Sequence, residues 1–278
     1  MKIAAVYSVF NEEEYLAYSI RSVREHVDVV IVSLNERPWS RPGVFAQPPS
    51  IADRTEAIVQ ELAAHDPKIV VLRGTWPTET THREVGMAYC RAHGIDYYFL
   101  VDGDEVYRPD QLEALLEEIR RHPDVGTFQI KCTIFWRSFA YRIPHEAMKW
   151  TPWRVFKIDR TRRILGIPMP YTTRVTGDNK TNSLGPRALV PPERCFFYHF
   201  SYARSEAKMR QKITTFSVAD QVQSNWFEHV WLAWPSQREM RNIHPMVPEE
   251  FPQAWHVSPD DLPAVMRTHP YFGVDIIR

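Results

Sequence analysis

Only three of the 278 residues are cysteine, no two of them form a Cys-x-x-Cys pair, and no apolar run is long enough to span a bilayer. Cys90, Cys132 and Cys195 are odd in number and far apart, which argues against a disulfide framework or a zinc knuckle and for a reducing cytoplasm. A membrane span needs ~18 consecutive apolar residues, and nothing here approaches that. The first hydrophobic run, Ile3 to Phe10, ends in Asn11-Glu12-Glu13-Glu14 without a small-residue cleavage site, so it reads as a strand and not a signal peptide. Net charge is absent as well: 34 basic and 34 acidic side chains cancel, so no extended nucleic-acid surface is expected. The sequence has neither a Gly-x-Gly-x-x-Gly fingerprint nor a Walker loop, which removes the usual nicotinamide and P-loop readings.

What is present is a globular composition, 44% hydrophobic and 24% charged, enough for one large domain or two modest ones. Short runs rich in Val, Ile, Tyr and Phe occur at Ile3 to Phe10, Val27 to Leu34, Ile69 to Leu72 and Tyr97 to Val101, separated by helix-like stretches. That rhythm predicts an α/β fold with a Rossmann-like, mostly parallel sheet and helices on both faces. Asn11 is expected to cap the first helix, with the three glutamates opposing its dipole in the first turn. Further helices are expected over Ala52 to Ala64, Thr80 to His93 and Pro109 to Arg121, with Asp110 as a cap for the last.

After Asp104 the pattern changes to long β-like runs at Thr127 to Trp136, Trp153 to Ile158 and Val190 to Tyr202, so the sheet is expected to become mixed. Ser205 can cap a helix reaching about Ala219. The expected organisation is a nucleotide-binding βα half over 1–106, a second half over 107–220, and a packed, Trp- and Pro-rich segment over 221–278.

The residues that carry chemistry begin with Asp102-Gly103-Asp104-Glu105, directly after the apolar run Tyr97 to Val101. Strand alternation puts Asp102 and Asp104 on one face and turns Glu105 away. Two carboxylates so placed repel unless something positive lies between them, and a divalent metal is the economical choice. The edge where parallel strands end is also where open α/β folds bind ligands. His199 alternates onto the strand face opposite an aromatic wall of Phe196, Tyr198, Phe200 and Tyr202. Arg204, Lys208 and Lys212 recur at helical spacing, either as a solvated face or as a clamp for a diphosphate near a helix N-terminus. Trp226 and Trp234 share a helical face and read as core, while Trp136, Trp150 and Trp153 are candidates for a pocket wall.

In combination, Ser8-Val9-Phe10-Asn11-Glu12, the Glu14 to Val23 helix, Arg83 with Gly86, Val101 to Glu105 and His199 to Ser205 resemble the family-2 glycosyltransferases. The resemblance covers roughly residues 1–215. It implies a GT-A-type fold and transfer of a sugar, hexosyl in type, from a nucleotide-sugar donor to a glycan, lipid-linked or other hydroxyl acceptor, with inversion. It also implies Mn²⁺ or Mg²⁺ held by Asp104 and His199, with Asp102 on the metal shell or the ribose. Ser8, Phe10, Asn11, Glu12, Asp53, Arg83, Gly103, Arg204 and Lys208 would contact the nucleotide sugar. For the catalytic base, which such enzymes draw from the acceptor half, Asp178 and Glu146 are the candidates.

The sequence departs from the family where an Asp-rich turn usually follows the second strand: here it reads Ser33-Leu34-Asn35-Glu36-Arg37-Pro38-Trp39 and continues into a Pro-rich loop. Two rivals stand beside the transferase. Asp102 to Val106 also satisfies the Asp-x-Asp-x-Val pattern of phosphatases, with Asp102 as nucleophile. A non-catalytic protein binding a sugar nucleotide or glycan would keep the fold without turnover.

Overall fold

Four of the expected strand runs form the centre of the protein. The computed structural model describes residues 1–39, 53–158, 186–215 and 219–278. Strand β1 (Ile3–Val9) leads into helix α1 (Leu16–Val23), followed by β2 (Val29–Asn35), α2 (Thr55–His65), β3 (Ile69–Gly74), α3 (Glu79–Ala92) and β4 (Tyr97–Leu100). Then come β5 (Glu105–Val106), α4 (Pro109–Arg121), β6 (Thr127–Gln129), β7 (Lys131–Trp136), β8 (Tyr141–Ile143), β9 (Trp153–Lys157), β10 (Arg187–Leu189), β11 (Phe196–Tyr202), α5 (Glu206–Thr215) and β12 (Trp255–His256). Among the described residues, β10-β6-β9-β4-β1-β2-β3 form a seven-stranded sheet and β12-β8-β7-β11-β5 a five-stranded one. The β4-β1-β2-β3 part is parallel, whereas β9 runs antiparallel to both β4 and β6, so the sheet becomes mixed where the sequence pattern changes.

Alternation along β1 divides two apolar cores. Ala5, Tyr7 and Val9 pack with Leu16, Ile20 and Val23 of α1 and with Leu112 and Leu115 of α4. Ala4 and Val6 face the other way, onto Met87 and Cys90 of α3, so helices cover both faces of the sheet. Gly86 makes the second contact possible: a Cβ there would sit 2.3 Å from Val6 Cγ1. Helix α3 starts on a Thr78–Thr81 capping box and ends at Gly94, whose φ of +68° suits glycine.

Several local expectations are corrected. Helix α1 starts at Leu16 with no acidic residue in its first turn, and Asn11 does not cap it. Asn11 instead adopts φ +55° and turns the chain so that the three glutamates meet basic groups elsewhere. Pro109 opens α4, and Asp110 pairs with Arg108 in place of capping the helix. The single run Thr127 to Trp136 splits at Ile130, β6 joining the first sheet and β7 the second. The run Val190 to Tyr202 likewise yields only β11, because Pro191 begins a turn whose carbonyl accepts from Arg194 and Cys195.

The C-terminal residues enter the main core. Trp226, Trp231 and Trp234 are buried with Trp136 and Phe251, and the Trp226 and Trp231 indoles donate to the carbonyls of Ile243 and Tyr202. The three cysteines are buried free thiols. Among the described residues no helix is long and apolar enough to cross a membrane.

Candidate active site

The chain leaving the C-terminal ends of β1, β2 and β4 borders a cavity of about 260 Å³. Ser8, Phe10, Asn11 and Glu12 come from the end of β1, Trp39 from beyond β2, and Asp102, Gly103 and Asp104 from beyond β4. This is the crevice outside the carboxyl ends of parallel strands where open α/β sheets bind ligands. Gly103 lets two of these loops lie side by side, since a Cβ there would stand 3.1 Å from Glu12 Cβ.

The second sheet supplies the opposite side. In β11, His199 sits across from Glu105 of β5, while Phe200 stacks on Phe135 with ring centroids 4.5 Å apart. Tyr198 and Phe200 are thus core with Phe196 packed against them, whereas Tyr202, beyond a register shift in β11, lines the cavity together with His199. His199 Nε2 lies 3.1 Å from Asp104 Oδ1, and its Nδ1 is buried with no hydrogen-bond partner among the described residues.

Asp104 is the hub. Its Oδ2 accepts from Arg204 Nη2 at 2.6 Å and from Lys212 Nζ at 2.9 Å. Burial opposes the charge, but Lys212, His199 and Arg204 together hold this carboxyl well below the usual range. Asp102 Oδ2 accepts from Arg154 Nη2 at 3.1 Å, and its Oδ1 lies 3.6 Å from Arg83 Nη2. Against the cost of burial, Arg154 and Arg83 keep its carboxyl below the ordinary value. The repulsion between the two aspartates is therefore relieved by the protein's own cations.

Glu105 does not turn away from this network. It is fully buried and accepts a hydrogen bond from the same Arg154 Nη2 that reaches Asp102. Arg204 joins a further carboxylate, donating to Glu12 Oε2 at 2.7 Å, and burial raises the Glu12 carboxyl despite that partner. The basic stripe is no solvated face: Arg204 is 2% exposed, and Lys208 bonds Asp53 at 2.5 Å and Glu13 at 2.9 Å.

Of the residues singled out by sequence, Asp53 stands behind the cavity as the anchor of Lys208, with Thr55 N donating to it at 2.9 Å. The remaining nucleotide and metal candidates, Arg83 and Lys208 included, line the cavity. Glu146 does not: its side chain is 70% exposed and lies against His145. Asp178 falls outside the described residues. Trp150 lines the cavity, Trp153 packs under the Arg187 guanidinium, and Trp136, Trp226 and Trp234 are core.

Sequence reasoning missed Arg154, Glu79, His244 and Glu250. An arginine inside the apolar strand run Trp153-Arg154-Val155-Phe156 is the one readable signal, because a charge buried there requires partners. His244 and Glu250 belong to the C-terminal segment and carry no motif.

The donor set can be tested against a divalent metal. Among the described residues no group of three or more His, Cys, Asp and Glu is gathered to hold one. Asp104 Oδ1 and His199 Nε2 nevertheless form a pair with the separation of about 3 Å expected of neighbouring ligands on an octahedral ion. Hard cations at phosphate sites take one or two protein carboxylates and fill the rest of the shell with phosphate and water. The pair fits that kind of ion, and the unpartnered His199 Nδ1 is free to take the second proton position of a ligating imidazole.

A family model described as Glycosyl transferase family 2 matches residues 48–203, more than half of the chain. No curated protein sequence matches. Among solved structures, S. aureus TarS 1-349 is similar at 12% identity and a TM-score of 0.43, over 72% of this chain and 61% of that one. S. aureus TarS is similar at 10% identity and a TM-score of 0.44, over 86% of this chain and 48% of that one. A 4-diphosphocytidyl-2C-methyl-D-erythritol synthase aligns at 16% identity and a TM-score of 0.35, over 56% of this chain and 74% of that one. The chain spans less than two thirds of either TarS chain.

Proposed function

The chain belongs to glycosyl transferase family 2, and on that premise we propose that it transfers a hexosyl group, with inversion, from a nucleoside diphosphate sugar to an acceptor hydroxyl, assisted by Mn²⁺ or Mg²⁺. The observation that carries this reading is Asp104, a buried carboxylate with an imidazole nitrogen on one oxygen and two cations on the other, at the C-terminal edge of a parallel sheet. The donor is a nucleotide sugar, and the acceptor a glycan, lipid-linked or other hydroxyl compound.

In this account Ser8 and Asn11 meet the nucleoside, since Ser8 Oγ and Asn11 Nδ2 are buried beside the cavity without partners among the described residues. Lys212 and Arg204 hold their positive charge toward the diphosphate and stabilise the negative charge that grows on the leaving oxygen. Arg154 is kept protonated against burial by Glu105 and Asp102, and so fixes Asp102 in place. A divalent ion on Asp104 and His199 would supply charge neutralisation at the diphosphate. The phosphatase reading needs a free Asp102 nucleophile, whereas this carboxylate lies between two guanidinium groups.

The experiment is a panel of nucleotide sugars with Mn²⁺ or Mg²⁺, read as thermal stabilisation and as slow release of nucleoside diphosphate. Stabilisation by one donor together with its metal-dependent turnover is expected. Binding without turnover of any donor favours the non-catalytic protein, and phosphate release from simple monoesters favours the phosphatase.

A further inference from the structure

Among the described residues five carboxylates line the cavity, and four of them are paired with cations: Glu12 with Arg204, Glu79 with Arg83, Asp102 with Arg154, and Asp104 with Arg204 and Lys212. Glu250 is the fifth. It has no side-chain hydrogen bond or ion pair among the described residues, and it stands in a wall built by Met246, Phe251 and Trp150. A base that takes a proton works best without a cation held on it, and each of the other four is tied to one; Glu79 Oε2, which has no hydrogen-bond partner among the described residues, is shut off from solvent.

The two histidines of the cavity do not compete. His244 Nδ1 accepts the backbone N–H groups of Met246 and Val247 at 3.1 and 2.9 Å, so its one proton sits on Nε2 and it can only donate. Burial also lowers the His244 imidazole to about 4. His199 uses Nε2 on Asp104, and its unpartnered Nδ1 is shut off from solvent.

We infer that Glu250 is the catalytic base of the proposed transfer, delivered by the C-terminal segment beyond the part of the chain that matches the family. The inference rests on the glycosyl-transfer reading above. As the acceptor oxygen bonds to the anomeric carbon, its proton passes to the Glu250 carboxylate. The bond from the anomeric carbon to the diphosphate oxygen breaks at the same time, and that oxygen keeps the electron pair. The environment suits the task. Burial and the neighbouring Glu249 push the Glu250 carboxyl above its ordinary value, with Lys149 pulling the other way, so it binds a proton more readily than a free carboxylate. Among the described residues Glu249 and Lys149 are the charged groups that act on it, and His244, lowered to about 4 by burial, is neutral at pH 7.

The test uses the full chain with UDP-glucose, UDP-N-acetylglucosamine and GDP-mannose, with water as acceptor and nucleoside diphosphate release as the signal. For whichever donor the wild type turns over, Glu250→Gln is expected to lower kcat ~100-fold. It should also abolish the acid limb of the pH–rate profile and leave the Kd for the matching nucleoside diphosphate within twofold. Glu250→Ala should regain rate with added formate. A Glu250→Gln enzyme that keeps its rate and its acid limb overturns the inference while leaving the transfer reading intact. A rate loss that comes with lost nucleoside diphosphate binding, or that formate does not restore, also overturns it. A wild type inactive on every donor overturns both readings.

Discussion

Arg204 Nη2 donates to Asp104 Oδ2 at 2.6 Å across 100 residues of sequence, and the same nitrogen donates to Glu12 Oε2 at 2.7 Å. One guanidinium therefore ties the loop after β1, the loop after β4 and the approach to α5 into one unit. The arrangement places the hub of the candidate site where fold and chemistry depend on the same charges.

Replacing Arg204 by Met removes that tie and leaves buried carboxylates undercompensated. Chemical denaturation should show a loss of about 3 kcal/mol, the scale of breaking a buried ion pair by deleting one partner. A loss under about 1 kcal/mol would show that water or Lys212 takes over the role.

Asp53 and Lys208 offer a pH test away from the Asp104–His199 pair. Although burial disfavours its charge, Lys208 and Thr55 hold the Asp53 carboxyl below the ordinary value. A depressed carboxyl contributes stability above its unfolded pKa of about 4 and loses it as pH falls through the lower folded value. Asp53→Asn should therefore be less stable than wild type at pH 7, by about 1–2 kcal/mol, with the difference shrinking below pH 4. Lys208→Met should show the same loss, and the double variant little more. Additive losses in that cycle would contradict a direct pairing.

Gly86→Ala should destabilise by about 1–3 kcal/mol, because the added methyl meets Val6 on a central strand and α3 must move. Val6→Ala made in the Gly86→Ala background should cost less than Val6→Ala alone, measured by thermal unfolding. Equal costs in both backgrounds would mean that α3 shifts freely.

How far the sequence reveals this site depends on the range of the forces involved. The parallel strands were legible because Ile3 to Phe10 and Tyr97 to Val101 are apolar runs bounded by turn signals, and the capping and glycine positions of α3 are local. The split of Thr127 to Trp136 between two sheets was not, since nothing in the alternation marks Ile130, whose N–H goes to Pro152 O. Asp104 and His199 were readable as partners through motif order, yet the cations that pair separately with Asp102 and with Asp104 were not readable as their partners. Arg154 lies 52 residues from Asp102 and Lys212 lies 108 from Asp104, so only the topology brings them together. The glutamates after Asn11 look like a helix first turn by local rules, and distant Arg204 and Lys208 override that preference. Glu250 has no pattern around it, and only the fold brings it with His244, Met246 and Phe251 to the cavity.

The central claim is that Asp104 serves metal-assisted transfer from a nucleotide sugar. Asp104→Asn preserves size and an acceptor for Arg204 while removing the charge. Turnover of the donor identified by the panel, measured with Mn²⁺ for the wild type and this variant side by side, tests the claim most directly. The account predicts metal-dependent release of nucleoside diphosphate by the wild type and a loss of at least ~100-fold in a folded Asp104→Asn. Full turnover by the variant, with the same response to metal, would contradict it.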